Sequence, residues 1–183
     1  MTKSVRVLVG YATAAGSTQG IAERIAAGLA DVADVAVRPL GPDVDPAGFD
    51  AFVIGSAVHD QAWLPAALDF LRRGRTTVGD RPLWCFSVAG AAPRGPISRA
   101  VVGMEVQRIE AAFPSGLSPR GHLVFAGIVA MAGLPLWGRV FWRAIGGRPG
   151  DHRDWPAIDR WAGEIAAALG ESRRDRTGSP AAR

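Results

Sequence analysis

Three hydroxyl side chains and a glycine fall within one short stretch, Thr13-Ala14-Ala15-Gly16-Ser17-Thr18, and they are the residues best suited to hold an anion. The small residues Ala14, Ala15 and Gly16 let backbone amides come close to a ligand. Thr13, Ser17 and Thr18 add hydroxyl donors. A β-branched run, Val5 to Tyr11, precedes the stretch, and Ile21, Ile25 and Leu29 follow it at the i, i+4, i+8 spacing of a helix face. The loop therefore sits at the carboxyl end of a strand and at the start of a helix, where free N–H groups and the positive end of the helix dipole attract an anion. No lysine follows the loop, so it is not a nucleotide P-loop. No Gly-x-Gly-x-x-Gly is present either, so it is not a dinucleotide fingerprint. A phosphate monoester held by amides and hydroxyls alone fits it. The same residues also read as an ordinary Ser/Thr helix cap.

The elements that would position this loop alternate along the chain. Strands are expected at 5–11, 34–37, 50–55, 82–88 and 122–126. Helices are expected from Ile21, at Pro65–Arg73, through Ile97, Val101, Met104 and Ile109, around Leu136–Ile145, and at Pro156–Leu169. Alternation of this kind implies parallel β-α units in an open doubly wound α/β sheet with helices on both faces. Five strands suit the order 2-1-3-4-5. Residues 1–170 read as one domain, and 171–183, which lack an apolar period, as a disordered basic tail.

Tyr11 to Thr18 resembles the phosphate loop of flavodoxins, Ser/Thr-x-x-Gly-x-Thr. Val53-Ile54-Gly55-Ser56-Ala57-Val58-His59, Phe86-Ser87-Val88, Leu136 to Arg143, Gly146-Gly147 and Asp154-Trp155 resemble, in the same order, the menaquinone-dependent protoporphyrinogen oxidase branch of that flavodoxin-like superfamily. The resemblance implies an FMN site. Thr13, Ala14, Ala15, Gly16, Ser17 and Thr18 would hold the phosphate. Ser56, Ala57, Val58 and His59 would flank the isoalloxazine ring, and Val88, Ala89, Gly90 and Ala91 would contact its other edge. It further implies an FMN-dependent oxidoreductase passing electrons to an acceptor such as a quinone, with protoporphyrinogen as its substrate. The alternatives are an electron shuttle without its own substrate and a binding domain that has lost the flavin.

Other residues admit two readings each. His59 could bond the flavin or stand exposed in a loop. Trp63 could cover the ring or pack under the next helix. Arg94 and Arg99 could bind an acidic substrate or form a solvated pair. His122 reads as a strand-start residue without a role, and His152 as an exposed turn. Trp137, Phe141 and Trp142 beside Arg139 and Arg143 suit a membrane surface or a quinone-bearing partner, or else a core-facing helix. No Ser-His-Asp set, carboxylate pair or metal-ligand cluster stands out in the sequence, so no catalytic residue is assigned.

The 183 residues are 48% hydrophobic and 21% charged, which suits a globular chain, and carry a net charge of +4. Lys3 is the only lysine, so arginine supplies the positive charge. No basic run with interleaved aromatics points to nucleic acid before the tail. A lone Cys85 within an apolar run excludes an internal disulfide or CxxC centre and reads as a buried thiol. The start of the chain shows no basic-then-apolar leader, and a cytoplasmic location is expected, with peripheral contact at the inner face of the membrane.

Overall fold

Val7, Leu8 and Val9 are all shut off from solvent, which successive residues of a strand achieve only when both faces of the sheet are covered. The computed structural model describes residues 4–90, 96–129 and 150–178, and in it this run is β1, Arg6–Ala12. It lies between β2, Asp34–Pro39, and β3, Ala51–His59, pairing in parallel with each. Beyond β3 come β5, Leu83–Ala89, and β6, His122–Ala126, also parallel. The resulting order, β2-β1-β3-β5-β6, is the doubly wound order expected from the sequence. The numbering differs because a two-residue strand, β4 (Ala62–Trp63), folds back antiparallel on the end of β3.

Alternation along the strands feeds two cores. Val7, Val9 and Tyr11 of β1 join Trp84, Phe86 and Val88 of β5 under α1, Ser17–Leu29, and the C-terminal helix, Trp155–Gly178. The periodic Ile21, Ile25 and Leu29 of α1 are wholly buried there, with Ile158, Trp161 and Ile165 of the last helix. On the other face, Leu8, Phe52, Ile54, Leu83 and Cys85 meet Phe70 and Leu71 of α2, Pro65–Arg73, and Val78 of α3, Arg75–Gly79. Ile109 of α4, Pro96–Ala111, completes that layer. Burial raises the Cys85 thiol well above its ordinary pKa, so the inert reading holds.

Two results differ from the sequence reading. The last helix continues through Gly178, into residues expected to be disordered. Its apolar stripe ends at Leu169, but Glu171, Arg173 and Arg174 are good helix formers and no proline interrupts them. A small antiparallel pair, β7 (Ile128–Val129) with β8 (Gly150–Asp151), was also not foreseen. The expected helix around Leu136–Ile145, with its aromatic and arginine residues, lies outside the described residues. No helix among the described residues is long and apolar enough to cross a membrane.

Ile25 ties α1 to both the sheet and the last helix. Ile25→Ala is expected to lower the unfolding free energy by about 3 kcal/mol, the usual cost of emptying a packed site. Urea denaturation measures it, and a loss below about 1 kcal/mol would mean that this seam is loosely packed.

Candidate functional site

Parallel register brings the expected loops to one edge of the sheet. Ala12 pairs with Ser56, Ser56 with Ser87, Val88 with Phe125 and Ala89 with Ala126. The turns after β1, β3 and β5 therefore emerge side by side from the carboxyl ends of the strands, where open α/β sheets bind ligands.

The loop after β1 is built as an open cradle. Ala14, Ala15 and Gly16 are exposed, while Ser17 and Thr18 beneath them are buried. The Gly16 N–H donates to Thr13 Oγ1 at 2.9 Å and closes the turn. Gly16 has φ 85°, a left-handed conformation that suits glycine. It also occupies the N-cap position of α1, so no side chain caps that helix. The first intrahelical bond reaches Gly20 N–H, leaving the N–H groups of Ser17, Thr18 and Gln19 without helical partners. Thr18 Oγ1 is buried and has no hydrogen-bond partner among the described residues. An orphaned buried hydroxyl costs stability unless a ligand atom meets it. Together these features fit a phosphate, and they argue against the simple cap, which would have used a hydroxyl on its own helix.

The loop after β3 is a hairpin. Asp60 and Gln61 both have positive φ, 49° and 63°, the two-residue turn geometry that joins β3 to β4. Ala57 and Val58 are half-buried and His59 is exposed, its ring 3.1 Å from Asp60. Ser56 is fully buried, and its hydroxyl accepts from Leu64 N–H at 3.0 Å and donates to the Ala57 carbonyl at 2.9 Å. Only its backbone, not its side chain, is available to a ligand. Val88 likewise turns its side chain into the core, while Ala89 and Gly90 reach the edge. Ala91 and Arg94 lie outside the described residues, as does the side chain of Arg99.

Trp63 follows the second of its two readings: it is buried with Ala67 and Phe70 of α2, donating its indole N–H to Ser87 Oγ at 2.8 Å. Other residues that matter here were missed. His122 is not an idle strand-start residue: its ring stands 2.8 Å from Ser87 Oγ and 3.0 Å from Glu110. Gly127 joins two of the loops. Its N–H bonds the Ala89 carbonyl at 2.8 Å, and a Cβ there would stand 3.1 Å from Ser17 Oγ and 2.9 Å from Val88. Arg153, stacked on Trp155 at 4.4 Å and paired with Asp151, rests against Gly20 in the second turn of α1. A glycine after a strand and a lone histidine give no sequence signal strong enough to mark such roles.

A family model described as a flavodoxin domain matches residues 8–154. No curated protein matches the chain. Among solved structures, a flavodoxin from the domain Archaea is similar at 16% identity and a TM-score of 0.51, over 91% of this chain and 99% of that one. A short-chain flavodoxin associated with a non-canonical PDU bacterial microcompartment reaches a TM-score of 0.56 at 16% identity, over 92% and 99%. A flavodiiron core from Synechocystis reaches 0.59 at 13% identity over 93% of this chain, which spans only 37% of that one.

The buried ring of His122 makes stability depend on pH. Desolvation lowers its pKa below the ordinary 6.5, against the pull of Glu110. Around it, Cys85 of β5 is a neutral thiol and Glu110 of α4 supplies the charge. The unfolded chain thus takes up a proton near 6.5 that the folded chain resists. Stability is full above that value and declines as the pH falls below it. Asp151, held at about 2 by hydrogen bonds from Arg153, loses its contribution only at lower pH, below 3.8. Melting temperatures between pH 7 and 5 are expected to fall, with a shallower slope in His122→Phe. Equal slopes would assign the effect to other groups.

Proposed function

The chain belongs to the flavodoxin domain family, and from that premise we propose that it is an FMN-dependent oxidoreductase that passes electrons between a small-molecule donor and an acceptor. The observation that carries this reading is the unpartnered Thr18 hydroxyl at the uncapped start of α1, under an exposed loop of small residues. Bound FMN supplies the redox chemistry through its ring. The chain's own residues bind and orient it.

Thr18 and Ser17 supply hydroxyls to the phosphate, and the first-turn amides of α1 supply N–H donors. Gly16 keeps the mouth of the cradle clear. The edge formed by Ala57–His59 and Ala89–Gly90 presents mainly backbone groups and small side chains, which suits a flat ring held by amides and carbonyls. His59 is exposed at this edge, its ring 3.1 Å from Asp60. The sequence resemblance supports a finer reading: oxidation of protoporphyrinogen with electrons delivered to a quinone at the inner face of the membrane. Anaerobic turnover of protoporphyrinogen with a soluble menaquinone analogue tests it, and the absence of porphyrin product in loaded protein would favour an electron shuttle.

Replacing the orphaned hydroxyl separates ligand binding from folding. Thr18→Val keeps the shape of the side chain and removes the unsatisfied oxygen. The flavin-free variant is expected to be more stable than the wild type by about 1 kcal/mol, and its FMN affinity to be about tenfold lower. Thermal melts and flavin-fluorescence titrations measure the two. A variant that loses stability and keeps full affinity would remove Thr18 from the site.

A further inference from the structure

One hydrogen-bonded chain crosses four elements beneath the hairpin. Trp63 Nε1–H of β4 donates to Ser87 Oγ of β5 at 2.8 Å. Ser87 Oγ lies 2.8 Å from His122 Nε2 of β6, and His122 Nδ1 lies 3.0 Å from Glu110 Oε1 of α4. Chemistry fixes the directions. A carboxylate only accepts, so His122 carries its proton on Nδ1 and donates to Glu110. The neutral ring then accepts at Nε2 from the Ser87 hydroxyl, whose lone pair already accepts from Trp63. Every donor in the chain is used.

Serine, histidine and carboxylate in this sequence of contacts match a nucleophilic triad. Access rules that role out here. Ser87 is fully buried, its proton and a lone pair are both engaged, and the buried Trp63 lies against it. The chain is therefore built to hold rather than to attack.

What it holds is the hairpin. Asp60 and Gln61 both sit in the left-handed region without being glycine, a steric penalty that an unfastened loop would relax. The fastening is at the base. Val58 pairs with Trp63 and His59 with Ala62, while Leu64 N–H bonds Ser56 Oγ. The Trp63 indole is wedged by Phe113, with ring centroids 4.8 Å apart, and by His122 at 5.7 Å. Phe113 in turn stacks on His122 at 17°. The hairpin is thus tied to β5, β6 and α4.

We propose that the Trp63–Ser87–His122–Glu110 relay positions the 59–62 turn for the flavin ring, making Ser87, His122 and Glu110 positioning residues of the site although none of them reaches its edge. This rests on the FMN reading above. The relay fixes the direction in which the Ala57–His59 backbone presents its amides and carbonyls, and it transmits changes at α4 and β6 to that edge.

Ser87→Ala removes both the acceptor of Trp63 and the donor to His122. Trp63→Phe removes the N–H together with part of the indole's buried volume, leaves Ser87 and its bond to His122 in place, and serves if the first variant folds poorly. In the flavin-free full chain, amide hydrogen exchange over residues 57–64 is expected to quicken about tenfold in either variant, with residues 51–54 of β3 unchanged. FMN affinity is expected to fall about tenfold. Glu110→Ala shifts both readouts in the same direction. Glu110→Gln, which keeps an acceptor for Nδ1–H, restores them, and nitrogen-15 spectra show His122 in its Nδ1–H tautomer in the wild type and in Glu110→Gln. Unchanged exchange and affinity in Ser87→Ala and Trp63→Phe, or an Nε2–H tautomer in the wild type, overturns the relay. A wild type that binds no FMN while Ser87→Ala still loosens 57–64 overturns the FMN reading and leaves the fastening of the turn intact.

Discussion

Parallel pairing carries Ala12, Ser56 and Ser87 to one level of the sheet, and every part of the candidate site hangs from that level. Above it the chain leaves the sheet as the cradle after β1, the hairpin after β3 and, past β5, at Gly90. Below it, two apolar layers fix the strands so firmly that the loops inherit their spacing. A slip of one residue in β1 would exchange the faces of Val7, Val9 and Leu8 and disrupt both cores at once. The geometry of the edge is therefore specified by burial far from it.

The hydroxyls at this level divide into two kinds. Those of Ser56 and Ser87 are buried and fully used, one by Leu64 and Ala57, the other by Trp63 and His122. They fasten the framework. That of Thr18 is equally buried and has no hydrogen-bond partner among the described residues. A protein that satisfies two such groups within neighbouring strands and leaves the third open at a helix start carries a cost, which a phosphate bound there would offset. The same contrast separates His122, held neutral in the interior, from His59, exposed on the turn.

Much of this was legible in the sequence because it is local. The Thr13–Thr18 stretch shows its hydroxyls and glycine in consecutive positions, and the β-branched runs and the Ile21, Ile25, Leu29 spacing show the strands and the helix that frame it. The relay was illegible because its members stand far apart, at 63, 87, 110 and 122, and no period links them. Hence His122 read as idle, and Trp63 read equally as a lid or as a residue packed under the next helix. The hairpin was hidden for another reason: Asp60-Gln61 lacks the glycine that usually signals a tight two-residue turn. Ser56 and Val88 were placed beside the ring by the family resemblance; strand alternation turns their side chains inward, which leaves their backbone groups for that role.

The claim on which the account rests is that the start of α1 recognises a phosphate. Titrating the purified protein with FMN and, in parallel, with riboflavin isolates that group, because the two ligands share the ring and differ in the phosphate. The account predicts that FMN binds at least about 100-fold more tightly, about 2.7 kcal/mol, in line with a few charge-assisted hydrogen bonds. Equal affinities would contradict it, since the cradle would then contribute nothing to holding the cofactor.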